Sequence, residues 1–526
     1  MLFSSHYFIL FFLPIVVIVY YTLGQRGLKE ASLAWLVAAS LVYYGWWNPA
    51  YIGLIVGSIL FNYFAGLILG NKRKKLSAFA HKTTLVLGLT FNLGLLGYYK
   101  YSNFFIESIN ELSGSNFYIS KIVLPLAISF FTFQQISYLI DSYQGKTCEY
   151  KFLHYCLFVT FFPQLIAGPI VHHKEMIPQF AKGTIFTSRD KYLSIGITVF
   201  IIGLFKKVVI ADQVALFASP VFQVSNQGFA LTFFEAWSGA LAYTFQLYFD
   251  FSGYSDMAIG LGYMFGIKLP LNFHSPYKAV NIMDFWRRWH ITLSRFFLEY
   301  LYIPLGGNRK GLVRQFMNLI IVMLLAGLWH GAGWTFVTWG GLHAFYLIVN
   351  NAWRILRKMF GYGLKESTLI GRTLSRVLTF LAVVLGWVIF RCTTIKSAIN
   401  MLKGMLGFNG IMLWDTYLEP LNKFGGLGNK LKSAGFEFGY TDFFNKDAIF
   451  MILSLLFIVW FMPNTQQIIS KYKPYLNTTN LDLKKGCAGW ISWRPTVCHS
   501  LLMAITFIVI ISCFLSKATE FLYFQF

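Results

Sequence analysis

The residues best equipped for chemistry lie between His274 and Phe345. The stretch reads HSPYKAVNIMDFWRRWHITLSRFFLEYLYIPLGGNRKG, then an apolar run, then GLWHGAGWTFVTWGGLHAF. Histidine is costly in an apolar environment unless it faces a cavity or a partner. His330 sits between the apolar run Leu319–Leu328 and the glycines Gly331 and Gly333, flanked by Trp329 and Trp334. In this setting the glycines are expected to let a substrate approach the backbone, and the indoles to wall a tunnel. An imidazole is the side chain best poised to take a hydroxyl proton near neutral pH. Plainer readings stand beside this one. His330 reads equally as a buried histidine donating to a helix carbonyl. His290 reads as an interfacial residue beside Arg287, Arg288 and Arg295. His343 reads as a second helix histidine, too far along the chain from His330 for a neighbouring-turn pair.

Other chemistries find less support in the residues. The cysteines (Cys148, Cys156, Cys392, Cys487, Cys498 and Cys513) form no CxxC pair and no metal-like spacing with histidine, so they read as reduced or buried thiols and no metal site is expected. There is no GxSxG elbow to supply a serine nucleophile, and no GxxxxGK[ST] loop for ATP phosphates. Asp250 and Asp256 interrupt an apolar helix that also carries Gln246, Ser252 and Tyr254. Carboxylates at membrane depth face a cavity or pair with a cation. Pairing with Arg287 or Arg288 to hold the fold is the expectation, and a cation site lacks further ligands.

The elements that must position these groups are written in the composition. Charged residues make up 12% of the 526, about half the usual share of a soluble domain, so lipid is the expected solvent. The net charge of +23 comes from Lys and Arg in short runs between apolar segments. That pattern sets topology and touches anionic lipid, and it argues against nucleic acid. A span needs about 20 apolar residues. Candidates are Tyr7–Leu23, Leu33–Trp47, Tyr51–Leu69, Thr84–Ser102, Ile122–Ile140, Phe152–Pro169 and Tyr192–Ala211. Others are Thr232–Phe249, Phe316–Leu328, Thr335–Val349, Ser375–Ile389, Ala448–Met462 and Ser500–Phe514. Leu33–Trp47, Phe316–Leu328 and Thr335–Val349 are short enough to be re-entrant. The expected fold is thus all-α and polytopic, one membrane-embedded domain over residues 1–526.

Lys and Arg clusters orient it. Lys72, Arg73, Lys74 and Lys75 read as cytoplasmic, as do Arg354, Arg357, Lys358, Arg372 and Arg376. The acidic loop Glu107–Ser120 and residues 393–446 read as outside, the latter including a Gly- and aromatic-rich excursion at Phe408–Tyr440. Both termini read as extracytoplasmic. The first apolar stretch lacks a basic leader and an AxA-like site, so it reads as a retained helix.

Five stretches together resemble the membrane-bound O-acyltransferase family. They are MLFSSHYFILFFLP with YYGWWNP, FFPQLIAGPI at Phe161–Ile170, YFDFSGYSDMAIGLGYMFGIKLPLNF at Tyr248–Phe273, DFWRRWHITLSRFFLEYLYIPLGGNR at Asp284–Arg309, and GLWHGAGWTFVTWGGLHA at Gly327–Ala344. The likeness is to the bacterial group of alginate and peptidoglycan O-acetylation proteins and the teichoic acid D-alanyl transfer protein. It extends to about residue 391.

The resemblance implies a fold of about 11–13 membrane helices, shaped as a funnel or tunnel around a buried histidine. It places the family's catalytic histidine on His330 and its second functional histidine on His290. His330 is then the general base for an acceptor hydroxyl that attacks a thioester directly, with His290 orienting the donor or steadying the oxyanion. The implied donor substrate is acetyl-CoA or another acyl-CoA, with no bound cofactor. Its anionic head would meet basic residues, among them Arg287, Arg288 and Arg295. The closing FLYFQF (521–526) resembles the group's C-terminal aromatic motif, which places Tyr523 as a transient acyl carrier; its plainer reading is an interfacial aromatic belt.

The function this implies is transfer of acetyl across a bacterial cytoplasmic membrane for O-acetylation of an extracytoplasmic polysaccharide, completed by a separate extracytoplasmic enzyme. Direct acylation of a lipid or protein hydroxyl, or transport of a glycan precursor, are the competing readings. A transporter would carry broken helices at matching positions of two halves, and none is visible.

Overall fold

The computed structural model describes residues 1–70, 77–147, 150–182, 186, 188–361, 363, 368–441, 443–476, 492–514 and 522. The Lys72–Lys75 cluster, Tyr523, Cys148 and Cys487 lie outside them. Helices dominate, and among the described residues five are long and apolar enough to cross a membrane: Tyr7–Gln25, Ala50–Gly70, Arg189–Asn226, Gly311–His330 and Leu369–Arg391. The chain is therefore a polytopic helical membrane protein. It divides into two units, one of Met1–Phe205, Gly253–Asn272 and the described residues from Thr465 on, the other of Lys206–Ser252 and Phe273–Asn464.

In the first unit, helices Ala50–Gly70, Ala78–Leu96 and Ile128–Tyr143 pack together over a ladder of amides. Asn62 and Asn92 exchange hydrogen bonds at 3.2 and 2.6 Å, Gln135 donates to Ser58 at 3.0 Å, and Gln134 donates to Gln164 at 2.6 Å. Such cross-helix bonds are what joins helices in lipid, where apolar contact alone gives little preference for protein over lipid tails. Leu269–Pro270 and Tyr475–Leu476 add a short parallel pair, and Val497–Phe514 lies against Arg189–Phe205.

The second unit is built on Phe233–Ser252, the first part of the helix Phe233–Met264, together with Gly311–His330, Trp334–Met359 and Leu369–Arg391. Gly311–His330 and Trp334–Met359 are joined by three residues and lie in close contact. A Cβ on Gly327 would stand 2.2 Å from the Phe336 carbonyl oxygen, and one on Gly340 would stand 2.3 Å from that of Met323. Glycine at both places lets the two backbones touch, the small-residue packing of membrane helices. Residues 411–414 and 436–439 form a parallel strand pair beside two short helices, Leu418–Lys423 and Leu427–Ser433.

Several boundaries differ from the apolar runs. Phe316–Leu328 and Thr335–Val349, read as short, belong to helices of 20 and 26 residues. Arg314 and Asn350 continue the helices past the apolar stretches, because a polar side chain breaks an apolar count without breaking a helix. Ile122–Ile140 is helical only from Ile128. Phe152–Pro169 is interrupted after Thr160, as expected one to three residues before Pro163. Gly340→Val should lower the thermal unfolding temperature in detergent by the equivalent of about 1–3 kcal/mol of overpacking. Unchanged melting would mean that the backbones are not in the stated contact.

Candidate active site

His330 is the last residue of the helix Gly311–His330 and is 6% exposed. Four rings surround it in the second unit: its neighbour Trp329 at 5.1 Å between centroids, Trp339 at 5.3 Å, Phe390 at 5.4 Å and His290 at 6.2 Å. All four meet it edge-on or near it, so ring hydrogens of one partner face the π cloud of another.

His290 arrives by a different route. Asn281 caps the short helix Ile282–Trp286 by accepting from the Asp284 amide at 2.9 Å. Arg288 is then pinned, donating to Asp284 Oδ1 at 2.8 Å and to the His274 carbonyl at 3.3 Å. Trp289 is wedged against Trp387 at 4.7 Å. The chain turns through His290 at φ +42°, ψ +52° and enters the helix Ile291–Phe297. A left-handed histidine costs conformational energy and persists where the surroundings over-determine it. Its ring is fully buried, 4.8 Å from Phe251 and 6.0 Å from Trp329. It lies in the connection between spans, and burial pushes its pKa down to about 3, so the imidazole is neutral at physiological pH.

The sequence expectations fare unevenly in detail. His290 and His330 are brought together although 40 positions apart in sequence. Trp329 is enclosed with them at 3% exposure, whereas Trp334 is 51% exposed. Gly331 does not open the backbone to a substrate: a Cβ there would stand 2.2 Å from the Phe336 ring, which fills the space. Arg288 is held by Asp284, Arg287 is exposed, and Arg295 is half-buried one turn beyond His290. Residues not singled out complete the enclosure. Trp339, Phe390 and Phe251 touch the two histidines, and His343 packs against Trp339 at 4.7 Å and Trp286 at 5.2 Å. A signal existed: Trp339 and His343 are spaced i, i+4, one helix face.

Neither carboxylate pairs with Arg287 or Arg288 in the structure. Asp250 is bound by Lys207 at 2.6 Å, and Lys207 also reaches Asp212 at 2.8 Å. Lys207 lies in a π-helical turn, Lys206–Ala211, and is 4% exposed. Asp256 accepts instead from Thr465 at 2.6 Å and Gln466 at 3.0 Å. The two aspartates are six residues apart, which sets them about 120° apart around the helix, so one arginine cannot serve both. Asp250 precedes Phe251, and its ion pair therefore fixes the turn that supports His290.

Two buried imidazoles thus share one aromatic enclosure in the second unit. Residues 148–386 match the family described as MBOAT, membrane-bound O-acyltransferase family. The peptidoglycan O-acetyltransferase of Helicobacter pylori is 41% identical, across 100% of this chain and 98% of its own. The probable alginate O-acetylase AlgI of Pseudomonas aeruginosa is 42% identical, across 78% and 75%. The teichoic acid D-alanyltransferase of Streptococcus thermophilus is 28% identical, across 50% and 68%. The chain belongs to the membrane-bound O-acyltransferase family. It is an O-acetyltransferase.

Two outcomes follow from the site's charges. Lys207→Met takes the ammonium from buried Asp250 and partly exposed Asp212 and should cost about 3–5 kcal/mol, whereas Asp250→Asn leaves the Lys207–Asp212 pair and should cost about 1–3 kcal/mol. Thermal unfolding in detergent ranks them, and equal losses would contradict the shared lysine. His290 takes up its proton at lower pH folded than unfolded, so the unfolded chain binds more protons between about pH 6.5 and 3. Stability should fall as pH drops through that window, and His290→Phe should flatten the profile.

Proposed function

We propose that this enzyme moves an acetyl group from cytoplasmic acetyl-CoA to hydroxyls of an extracytoplasmic polysaccharide, with His330 as general base. The observation that carries the reading is the pairing of His330 with His290, 6.2 Å apart inside one aromatic enclosure. In this reading the two imidazoles stand on either side of the reacting groups, one for the acceptor hydroxyl and one for the thioester carbonyl.

His330 accepts the proton of the acceptor hydroxyl as its oxygen attacks the thioester carbonyl. The imidazolium so formed sits at a helix C-terminus, where the macrodipole stabilises positive charge. Neutral His290 donates an N–H to the oxyanion. Collapse expels the CoA thiolate, which takes the proton back from His330. The rings exclude water that would otherwise hydrolyse the thioester.

Peptidoglycan is the favoured polymer, because the relative named for it is 41% identical over its length, against 36% for the AlgI relative of Pseudomonas putida that also matches end to end. Alginate-type polymers are the alternative that the AlgI relatives support. Arg295, half-buried near His290, is the best placed of the three arginines for the donor's anionic head. Tyr523 is proposed as a carrier between His330 and a separate extracytoplasmic transferase, with both termini on that side.

Purified protein in nanodiscs with radiolabelled acetyl-CoA tests the assignment. His330→Ala should slow CoA release about 10²–10⁴-fold, the usual worth of a general base. His290→Ala should slow it while leaving donor affinity nearly unchanged. Tyr523→Phe should abolish label on the peptide that carries the closing FLYFQF. Catalytic CoA release that survives His330→Ala would remove His330 as the base, and label on that peptide that survives Tyr523→Phe would remove the carrier.

A further inference from the structure

The first unit contains a chain of phenol, imidazole and carboxylate that plays no part in the chemistry above. The Tyr150 hydroxyl lies 2.8 Å from His173 Nδ1, and His173 Nε2 lies 2.9 Å from Asp141 Oδ2. Lys174 Nζ is 2.9 Å from the same carboxylate oxygen. Three helices supply the groups. Asp141 is in the last turn of Ile128–Tyr143, His173 opens His173–Ala181, and Tyr150 stands two residues before Phe152–Thr160. The Tyr150 carbonyl accepts from the Tyr63 hydroxyl at 2.9 Å, which anchors the residue from behind.

The direction of each hydrogen bond follows from the charges. Asp141, beside the Lys174 ammonium, is ionised and can only accept. His173 therefore carries its proton on Nε2 and presents a lone pair at Nδ1. Tyr150 donates its O–H to that lone pair. Nucleophile, base and orienting carboxylate in one hydrogen-bonded line is the geometry of an activated nucleophile. Tyr138 and Phe158 stand edge-on to the imidazole at 5.8 and 6.4 Å, and the His173 and Asp141 side chains are 0% and 2% exposed. Water therefore cannot compete for the base. The phenol end opens outward: Tyr150 is only half-buried, and the Lys151 and Lys174 side chains are 67% and 44% exposed.

We propose that Tyr150, His173 and Asp141 form a second acyl-accepting site, at which the Tyr150 oxygen takes an acyl group from an activated thioester. Lys151 is paired with Glu30 and Lys174 with Asp141, so these ammonium groups hold the carboxylates ionised around the site. By the excess of lysine in short loops, this end of the unit is cytoplasmic, the side on which thioesters are made. The Tyr150 oxygen bonds to the carbonyl carbon as its proton passes to His173 Nδ1. The tetrahedral adduct then breaks its carbon–sulfur bond, and the imidazolium returns the proton to the thiolate. The products are an aryl ester and a thiol, and no other reactant is consumed. The site does not depend on the role assigned to His330.

The probe is p-nitrophenyl acetate with the full-length protein in nanodiscs, and the readout is the rate of acetylation of each tyrosine by peptide mass spectrometry. Tyr118 is 91% exposed and serves as the unassisted reference. At pH 7.5 Tyr150 should be acetylated roughly tenfold faster than Tyr118 or more, despite its lower exposure, as base assistance requires. His173→Gln, checked for native melting, should bring Tyr150 to or below the Tyr118 rate. Asp141→Asn should do the same by freeing the other tautomer. Wild-type labelling of Tyr150 no faster than Tyr118 overturns the proposal without recourse to any variant. So does labelling of Tyr150 that His173→Gln leaves undiminished.

Discussion

A polar group inside a bilayer has no water to fall back on, so each one must find its partner within the protein. That constraint turns a few side-chain bonds into the framework of the whole chain. In the first unit the Asn62–Asn92 exchange and the Gln134–Gln164 bond hold helices that apolar contact with lipid would leave indifferent to one another. In the second unit the same need is met by charge. Lys207 sits between Asp250 and Asp212, each ion made tolerable by the others. Because Lys207 lies in a π-helical turn and Asp250 adjoins Phe251, satisfying one buried charge also fixes the ring on which His290 rests.

His290 and His330 are handled in a contrasting way. Their ring neighbours are mostly aromatic, and the contacts meet edge to face at 4.8 to 6.2 Å. Such contacts orient a ring with ~0.5–1.5 kcal/mol each. Burial then suppresses the charged form of His290. The left-handed backbone at that residue is held by the pinned Arg288, the wedged Trp289 and the following helix.

Short-range pattern made some of this legible and long-range pairing hid the rest. Apolar runs located the membrane helices, because hydropathy at one position is independent of distant contacts. Their ends were misjudged where Arg314 or Asn350 continues a helix and where Ile122–Ala127 does not begin one. The motif likeness pointed to His330 and His290 and to the family. Nearness in sequence misled for Trp334: five residues from Trp339, it lies about 140° away around the same helix, exposed where Trp339 is buried. Nothing local to Asp250 reveals that its partner is Lys207, 43 positions earlier.

The position of His330 at a helix end has a physical reason. In mid-helix an imidazole is flanked by turns on both sides, and a bond-forming reaction at its nitrogen would meet only one open direction. At the last residue the helix stops, Gly331 continues in extended conformation, and the next helix begins after Gly333. The break exposes the end of the ring's own helix and admits Trp339 and Phe390 from two neighbouring helices. It also leaves terminal carbonyls whose partial negative charge favours an arriving proton. In the proposed mechanism, a base that receives a hydroxyl from one direction and a thioester from another gains more from such an end than from a position within the helix. Glycine at 331 is required on a separate ground, since the Phe336 ring occupies the place of its side chain. The WHG sequence thus combines a proton acceptor, a ring that encloses it and a residue small enough to let the chain turn away.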